Sequence, residues 1–260
     1  MTPIITLLTD FGLRDPFVGV MKGVVAGICP EARLVDLTHM VSPQDVEEGA
    51  YQLFRATRWF PAGTIHLAVV DPGVGSARRA VVVQGDRYLY VAPDNGLLTL
   101  ALRGDPVRAV YEIVPGAYTL PRPSTTFHGR DIFAPVAAHL ASGVSPQQMG
   151  PEVSGLTELQ LPQNRGCEDR FETWVVSVDR YGNLITAAEP EALRFEPGRV
   201  EVGGRSIPLA THYAEVSEGS LLALWGSDGT LEISVRGGSA ARVLEAGRRA
   251  SVSIYPAGSA

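Results

Sequence analysis

Lysine is almost missing from this 260-residue chain: Lys22 is the only one, against 21 arginines. That usage, with abundant glycine and proline, fits a GC-rich genome and carries no chemistry. Cysteine is scarce as well. Cys29 and Cys167 stand far apart with no CxxC partner, which argues against a disulfide framework or a thiolate zinc site. No apolar stretch approaches the roughly 20 residues that span a bilayer, and Met1 leads directly into a short apolar run rather than a leader peptide. The expected location is the cytoplasm, with no membrane partner. A net charge of −6 leaves no surplus of bases for a phosphate backbone, so no nucleic-acid partner is expected. What is present is ordinary for a folded enzyme-sized chain, with 45% hydrophobic and 19% charged residues. The length allows one large domain or two modest ones.

The first half alternates strand and helix patterns. Ile4 to Thr9 is a short apolar run suited to a buried parallel strand. Phe17 to Ile28 repeats apolar residues at helical spacing until Pro30 stops it. Arg33 to Leu37 reads as a strand, and Ser42-Pro43-Gln44-Asp45 reads as the start of a helix running to about Arg58. Thr64 to Val70 is a third strand. Ala80 to Gln84 and Arg87 to Ala92 form a hairpin, Asp94-Asn95-Gly96 a turn, and Asp131 to Ala141 a last helix. Such alternation predicts an α/β layer with a mainly parallel sheet, whose ligands sit beyond the carboxyl ends of strands. Asp10 and Asp71 fall there. Residues 142–168 lose all periodicity and read as a linker. After them come short strands separated by turns, a small all-β barrel or sandwich. The expected domains are 1–160, α/β, and 161–260, all-β.

Taken singly, the motifs stay ambiguous. Asp71-Pro72-Gly73-Val74-Gly75 follows a strand, but it lacks the third glycine and the helix of a dinucleotide fingerprint. It is either a turn with an Asp–Arg pair or a loop presenting Asp71 and Arg78. Thr9-Asp10-Phe11-Gly12 contains the DFG string of kinases by coincidence, since no glycine-rich loop or strand lysine precedes it. His128 lies on a loop before a helix, where a lone histidine is either structural or functional. Asp179-Arg180-Tyr181-Gly182-Asn183 is a hairpin turn or a ligand-holding loop. No HExxH, GxSxG, P-loop or metal-spaced cluster is present.

In combination they are specific. Thr9-Asp10-Phe11-Gly12, Asp45-Val46-Glu47-Glu48-Gly49-Ala50, the Val69-to-Arg79 loop, Ala92-Pro93-Asp94-Asn95-Gly96, Phe127-His128-Gly129-Arg130-Asp131 and Tyr181-Gly182-Asn183 occur in an order that resembles the S-adenosyl-L-methionine (SAM) hydroxide adenosyltransferase family, which is related to fluorinases and chlorinases. The resemblance covers almost the whole chain. It implies a Rossmann-like N-terminal α/β domain, a smaller C-terminal β-barrel, and a homotrimer with SAM bound between the N-terminal domain of one subunit and the C-terminal domain of the next. The implied reaction is SAM plus water giving adenosine and L-methionine, with no metal or other cofactor. The implied catalytic set is Asp71, Arg78 and His128. Arg78 is chosen over Arg79 by its spacing from Asp71, because neighbours on an extended segment point to opposite faces. The implied substrate contacts are Asp10 and Phe11 after the first strand, Asp15, and Asp179, Tyr181 and Asn183, with Ser227 and Arg236 as weaker matches. Where the halogenating relatives hold halide with hydroxyl-bearing side chains, this chain has Val74 and Gly129. Water is therefore the expected nucleophile. The rival readings are a non-catalytic SAM or adenosine sensor, a SAM-dependent halogenase, and a hydrolase that releases the base instead.

Overall fold

The buried apolar runs of the first half assemble side by side. A computed structural model describes residues 2–258. Six strands form one sheet: β1 (Ile4–Thr9), β2 (Arg33–Thr38), β3 (Ile65–Val69), β4 (Ala80–Gly85), β5 (Leu89–Pro93) and β6 (Val107–Glu112), in the order β2-β1-β3-β5-β4-β6. The first four neighbours are parallel, while β4 runs antiparallel to both β5 and β6. The register aligns Ile5, Ile65 and Leu89, then Leu7, Leu67 and Val91, on one face. That face packs against helices α1 (Phe17–Ile28) and α3 (Ala134–Ala141) through Met21, Val25, Val136 and Leu140. Helix α2 (Val46–Thr57) buries Ala50, Tyr51 and Leu53. It starts three residues later than a Ser42 cap suggests. Gln44 is held at φ +67, which no helix accepts, and Asp45 is the cap that takes the Glu48 N–H.

The other sheet face carries an aligned polar row of Thr6, His66 and Tyr90. His66 is fully buried, with its Nδ1 2.8 Å from Thr6 Oγ1 and its ring against Tyr88 and Tyr90. Burial pushes this imidazole down to about 3. Folded His66 is therefore neutral where unfolded His66 is charged. Its contribution is complete above pH 6.5 and is lost as pH falls from there towards 3. The expected result is a stability that declines over this window by at most about 1.4 kcal/mol per pH unit from His66. Urea midpoints against pH should fall less steeply in His66→Gln, and equal slopes would contradict the assignment.

Two segments differ from the expected pattern. Edge strand β6 has little apolar signal, because its first half is exposed. The stretch read as a linker belongs largely to the first unit, which ends at Leu159. Met149 is buried, and Pro151 O and Val110 O accept the N–H groups of Glu112 and Val153. Its Gly, Pro, Ser and Gln content reflects irregular backbone satisfied by a sheet edge.

The second unit begins at Gln160. Its strands are β7 (Arg165–Gly166), β8 (Phe171–Val178), β9 (Leu184–Thr186), β10 (Pro197–Val202), β11 (Arg205–Pro208), β12 (Leu221–Trp225), β13 (Leu231–Val235) and β14 (Ser251–Pro256), with a short helix α4 (Ala240–Leu244). The antiparallel order is β11-β10-β14-β8-β9-β13-β12, with β7 paired to β8. A bridge between Leu209 and Ala223 joins the two ends, so the sheet is barrel-like and nearly closed around Val175, Leu184, Ile207 and Ile233. Among the described residues, no helix is long and apolar enough to cross a membrane.

Candidate active site

Strands β1 and β3 are parallel neighbours with Thr9 opposite Val69, so Asp10 and Asp71 leave the sheet at the same carboxyl edge. After Val70 the chain turns through 71–79 before β4. Gly75 sits at φ +77, and a Cβ there would strike the Thr125 carbonyl. This close approach lays the 71–79 loop against the loop carrying His128. The His128 loop is held from beneath by Asp131, whose carboxylate takes the Ser124 N–H at 2.8 Å and pairs with Arg130. A π-helical turn, Gly129–Phe133, precedes α3, so the helical segment begins two residues before Asp131.

The structure brings Asp71, Arg78 and His128 together. Arg78 Nε lies 3.0 Å from each Asp71 oxygen and Nη2 lies 2.5 Å from Oδ2. The same Nη2 is 2.7 Å from His128 Nδ1. Arginine only donates, so Nδ1 accepts and the histidine proton sits on Nε2. Burial, then the Arg78 charge, push the His128 imidazole below its ordinary value. It is neutral at pH 7. Both members of the ion pair are nearly buried, and the guanidinium stacks over Phe133. Arg79 faces away and pairs with Asp94 instead.

Asp71 and His128 open into a cavity of about 120 Å³. Phe11, Phe17 and Phe127 wall it in mutual edge-to-face contact, with ring centroids 5.2–5.9 Å apart. Val69, Val74, Thr126 and Gly129 complete it. A Cβ on Gly129 would lie 3.1–3.2 Å from the Phe11 ring and the Met21 sulfur, so a larger residue there must displace these side chains. Asp10 accepts the Gln44 N–H at 2.7 Å and lies outside the cavity lining. Asp15 is exposed, outside the cavity lining.

In the second unit, the β8–β9 turn is built by Asp179. Its Oδ1 takes the N–H groups of Tyr181 and Asn183, and its Oδ2 takes Asn183 Nδ2, each at 2.9 Å. Gly182, at φ +85, packs on Ser239 where any Cβ would overlap it. Tyr181 is 76% exposed. Tyr181 and Asn183 line a cavity of about 510 Å³ with Tyr213 and Arg242. Tyr213 donates to buried Glu232 at 2.5 Å. Burial, then that bond, push its phenol up to about 12. These residues escaped sequence reasoning, although an acid inside the apolar strand Leu231–Val235 is a legible oddity. Arg236 is exposed and donates to the Ala214 and Val216 carbonyls, holding the Tyr213 segment. Ser227 is exposed in the β12–β13 turn, outside the lining. Among the described residues, no group of three or more His, Cys, Asp or Glu is placed to hold a metal ion.

Family models of the SAM hydroxide adenosyltransferase N-terminal and C-terminal domains match residues 5–150 and 173–253. A (R)-S-adenosyl-L-methionine hydrolase from Thermus thermophilus is 47% identical, over 91% of this chain and 93% of that protein. A crystal structure of an uncharacterized conserved protein from Thermotoga maritima superposes with a TM-score of 0.91 at 36% identity, covering 96% of this chain and 99% of that one. A fluorinase from Actinopolyspora mzabensis is more distant, at 30% identity over 74% of this chain and 73% of its own length. The chain is a member of the SAM hydroxide adenosyltransferase family.

Proposed function

We propose that this chain hydrolyses SAM to adenosine and L-methionine, and that Asp71, Arg78 and His128 deliver the water. The observation that carries the assignment of roles is the Asp71–Arg78–His128 chain of hydrogen bonds at a phenylalanine-walled cavity. Sulfonium is already a good leaving group, so no acid is needed at sulfur. The water oxygen bonds to the ribose C5′, the C5′–S bond breaks, and its electron pair stays on sulfur as the thioether of methionine. Asp71 accepts the proton that water loses and passes it to solvent. A positioned base of this kind is worth about 10²–10⁴-fold. Arg78 orients the carboxylate, and neutral His128 orients Arg78. The apolar wall keeps other waters away and strengthens these charges.

The same features disfavour halide. A carboxylate at the nucleophile's place repels an anion, and neither Val74 nor Gly129 offers a hydroxyl. Asp10, Phe11, Asp15, Asp179, Tyr181, Asn183, Ser227 and Arg236 remain the proposed substrate contacts. The 120 Å³ cavity is smaller than the roughly 300–1,000 Å³ of whole-ligand pockets, so it suits only the reacting end of SAM. SAM is substrate rather than cofactor. Rossmann-like character of the first sheet, a barrel proper in the second unit, a homotrimer with sites shared between subunits and cytoplasmic action belong to the same proposal. Incubation with SAM in ¹⁸O-water tests it. Adenosine labelled at the 5′-oxygen with unlabelled methionine is the expected result. Binding without product would favour a sensor, and free adenine would favour a base-releasing hydrolase.

A further inference from the structure

We infer that the Asp94-Asn95 turn is a clamp that sets the distance between Asp71 and Arg78, so that Asp94 and Asn95 are positioning residues for the reaction; this rests on the hydrolase reading above. Both reactive side chains sit on one loop, near its two ends. Consecutive residues of the turn after β5 hold those two ends. Asn95 Nδ2 donates to the Val70 carbonyl at 2.9 Å, immediately before Asp71. The other end of the same amide is engaged too, since Oδ1 accepts the Leu97 N–H at 3.2 Å. The Asp94 N–H donates to the Arg79 carbonyl at 2.9 Å, immediately after Arg78. The Asp94 carboxylate then binds the Arg79 side chain, through Nε at 2.8 Å and Nη2 at 2.5 Å.

This arrangement gives Arg79 a task that follows from its neighbour's. Adjacent side chains on extended backbone point to opposite faces. Fixing Arg79 outward on Asp94 therefore fixes Arg78 inward on Asp71. The clamp itself is braced. The remaining Asp94 oxygen accepts the Thr157 N–H at 2.7 Å, and Arg79 Nη2 also donates to the Gly155 carbonyl at 2.8 Å. The Asp94 side chain is only 4% exposed, so this charge is committed to the pair. Neither Asp94 nor Asn95 lines the phenylalanine-walled cavity. Their hydrogen bonds reach the reacting groups through the loop, where a displacement of about 1 Å can cost on the order of 10²-fold in rate.

The test is a double-mutant cycle with steady-state and single-turnover kinetics on the full chain. Asn95→Ala should lower kcat by roughly 10–100-fold while KM for SAM changes by less than about threefold. In an Arg78→Lys background, where the loop no longer presents a bidentate guanidinium, the same substitution should cost less than about threefold more. A loss of equal size in both backgrounds, a loss confined to KM, or no loss would overturn the clamp. Should Asn95→Ala fail to fold, Arg79→Lys carries the same cycle, because lysine keeps the charge but not the forked contact with Asp94 and Gly155. The unsubstituted chain runs in parallel. If it fails to turn over SAM, the hydrolase reading falls; if it turns over and the variants match it, only the clamp falls.

Discussion

Asp71→Asn is expected to lower kcat for SAM hydrolysis by about 10²–10⁴-fold, the range of a positioned general base. The substitution keeps size and shape but damages the site twice. The amide cannot take the proton that water sheds as it attacks C5′. Its NH₂ group also meets the donors of Arg78, which now binds both Asp71 oxygens. Arg78 would then turn from His128 as well, because one nitrogen, Nη2, serves both partners. SAM affinity should survive, since the proposed ribose, methionine and adenine contacts lie on other segments. Calorimetric titration beside product chromatography separates the two quantities. Turnover within a factor of about ten of the unsubstituted chain would mean that another group accepts the proton.

Asp105→Ala is expected to cost about 3 kcal/mol or more of stability, with little change in kcat. Asp105 is 1% exposed. It accepts the N–H groups of Arg87 and Tyr88 at 2.8 and 3.2 Å and the Tyr90 hydroxyl at 3.1 Å. Gly85 exists to admit it, because a Cβ at that residue would overlap the carboxylate. Alanine leaves these donors without their acceptor, and each such loss costs roughly 1–3 kcal/mol. Scanning calorimetry should show Tm lower by roughly 6–12 °C. Asp105→Asn, which keeps an acceptor, should fall between. The carboxylate sits beside the amino ends of β3 and β5, at the opposite sheet edge from Asp71, which is why activity should persist. A Tm shift of less than about 2 °C in the alanine variant would contradict this account.

Elements with strong apolar period and firm stops were legible from sequence alone. Strand Ile4–Thr9 and helix Phe17–Ile28 occur with the expected bounds. Elements that borrow stability from neighbours were not. β6 and β11 are partly exposed edges, and α4 has five residues capped by Ser239. The π turn at Gly129 leaves no mark in hydrophobic spacing. At the site, spacing showed that Arg78 and Arg79 must diverge, but the direction depended on Asp94, a partner fifteen residues away in sequence. Tyr213 and Glu232 meet across nineteen residues, in a contact that only the sheet creates.

The Asp179 turn carries a last consequence. Both oxygens of its carboxylate are already occupied by the turn's own N–H groups. The conformational entropy of shaping this loop is spent when the chain folds, not when a ligand arrives. In the proposed binding mode, a nucleoside against Tyr181 and Asn183 would meet a finished surface, with desolvation of an exposed ring rather than loop ordering as the expected cost.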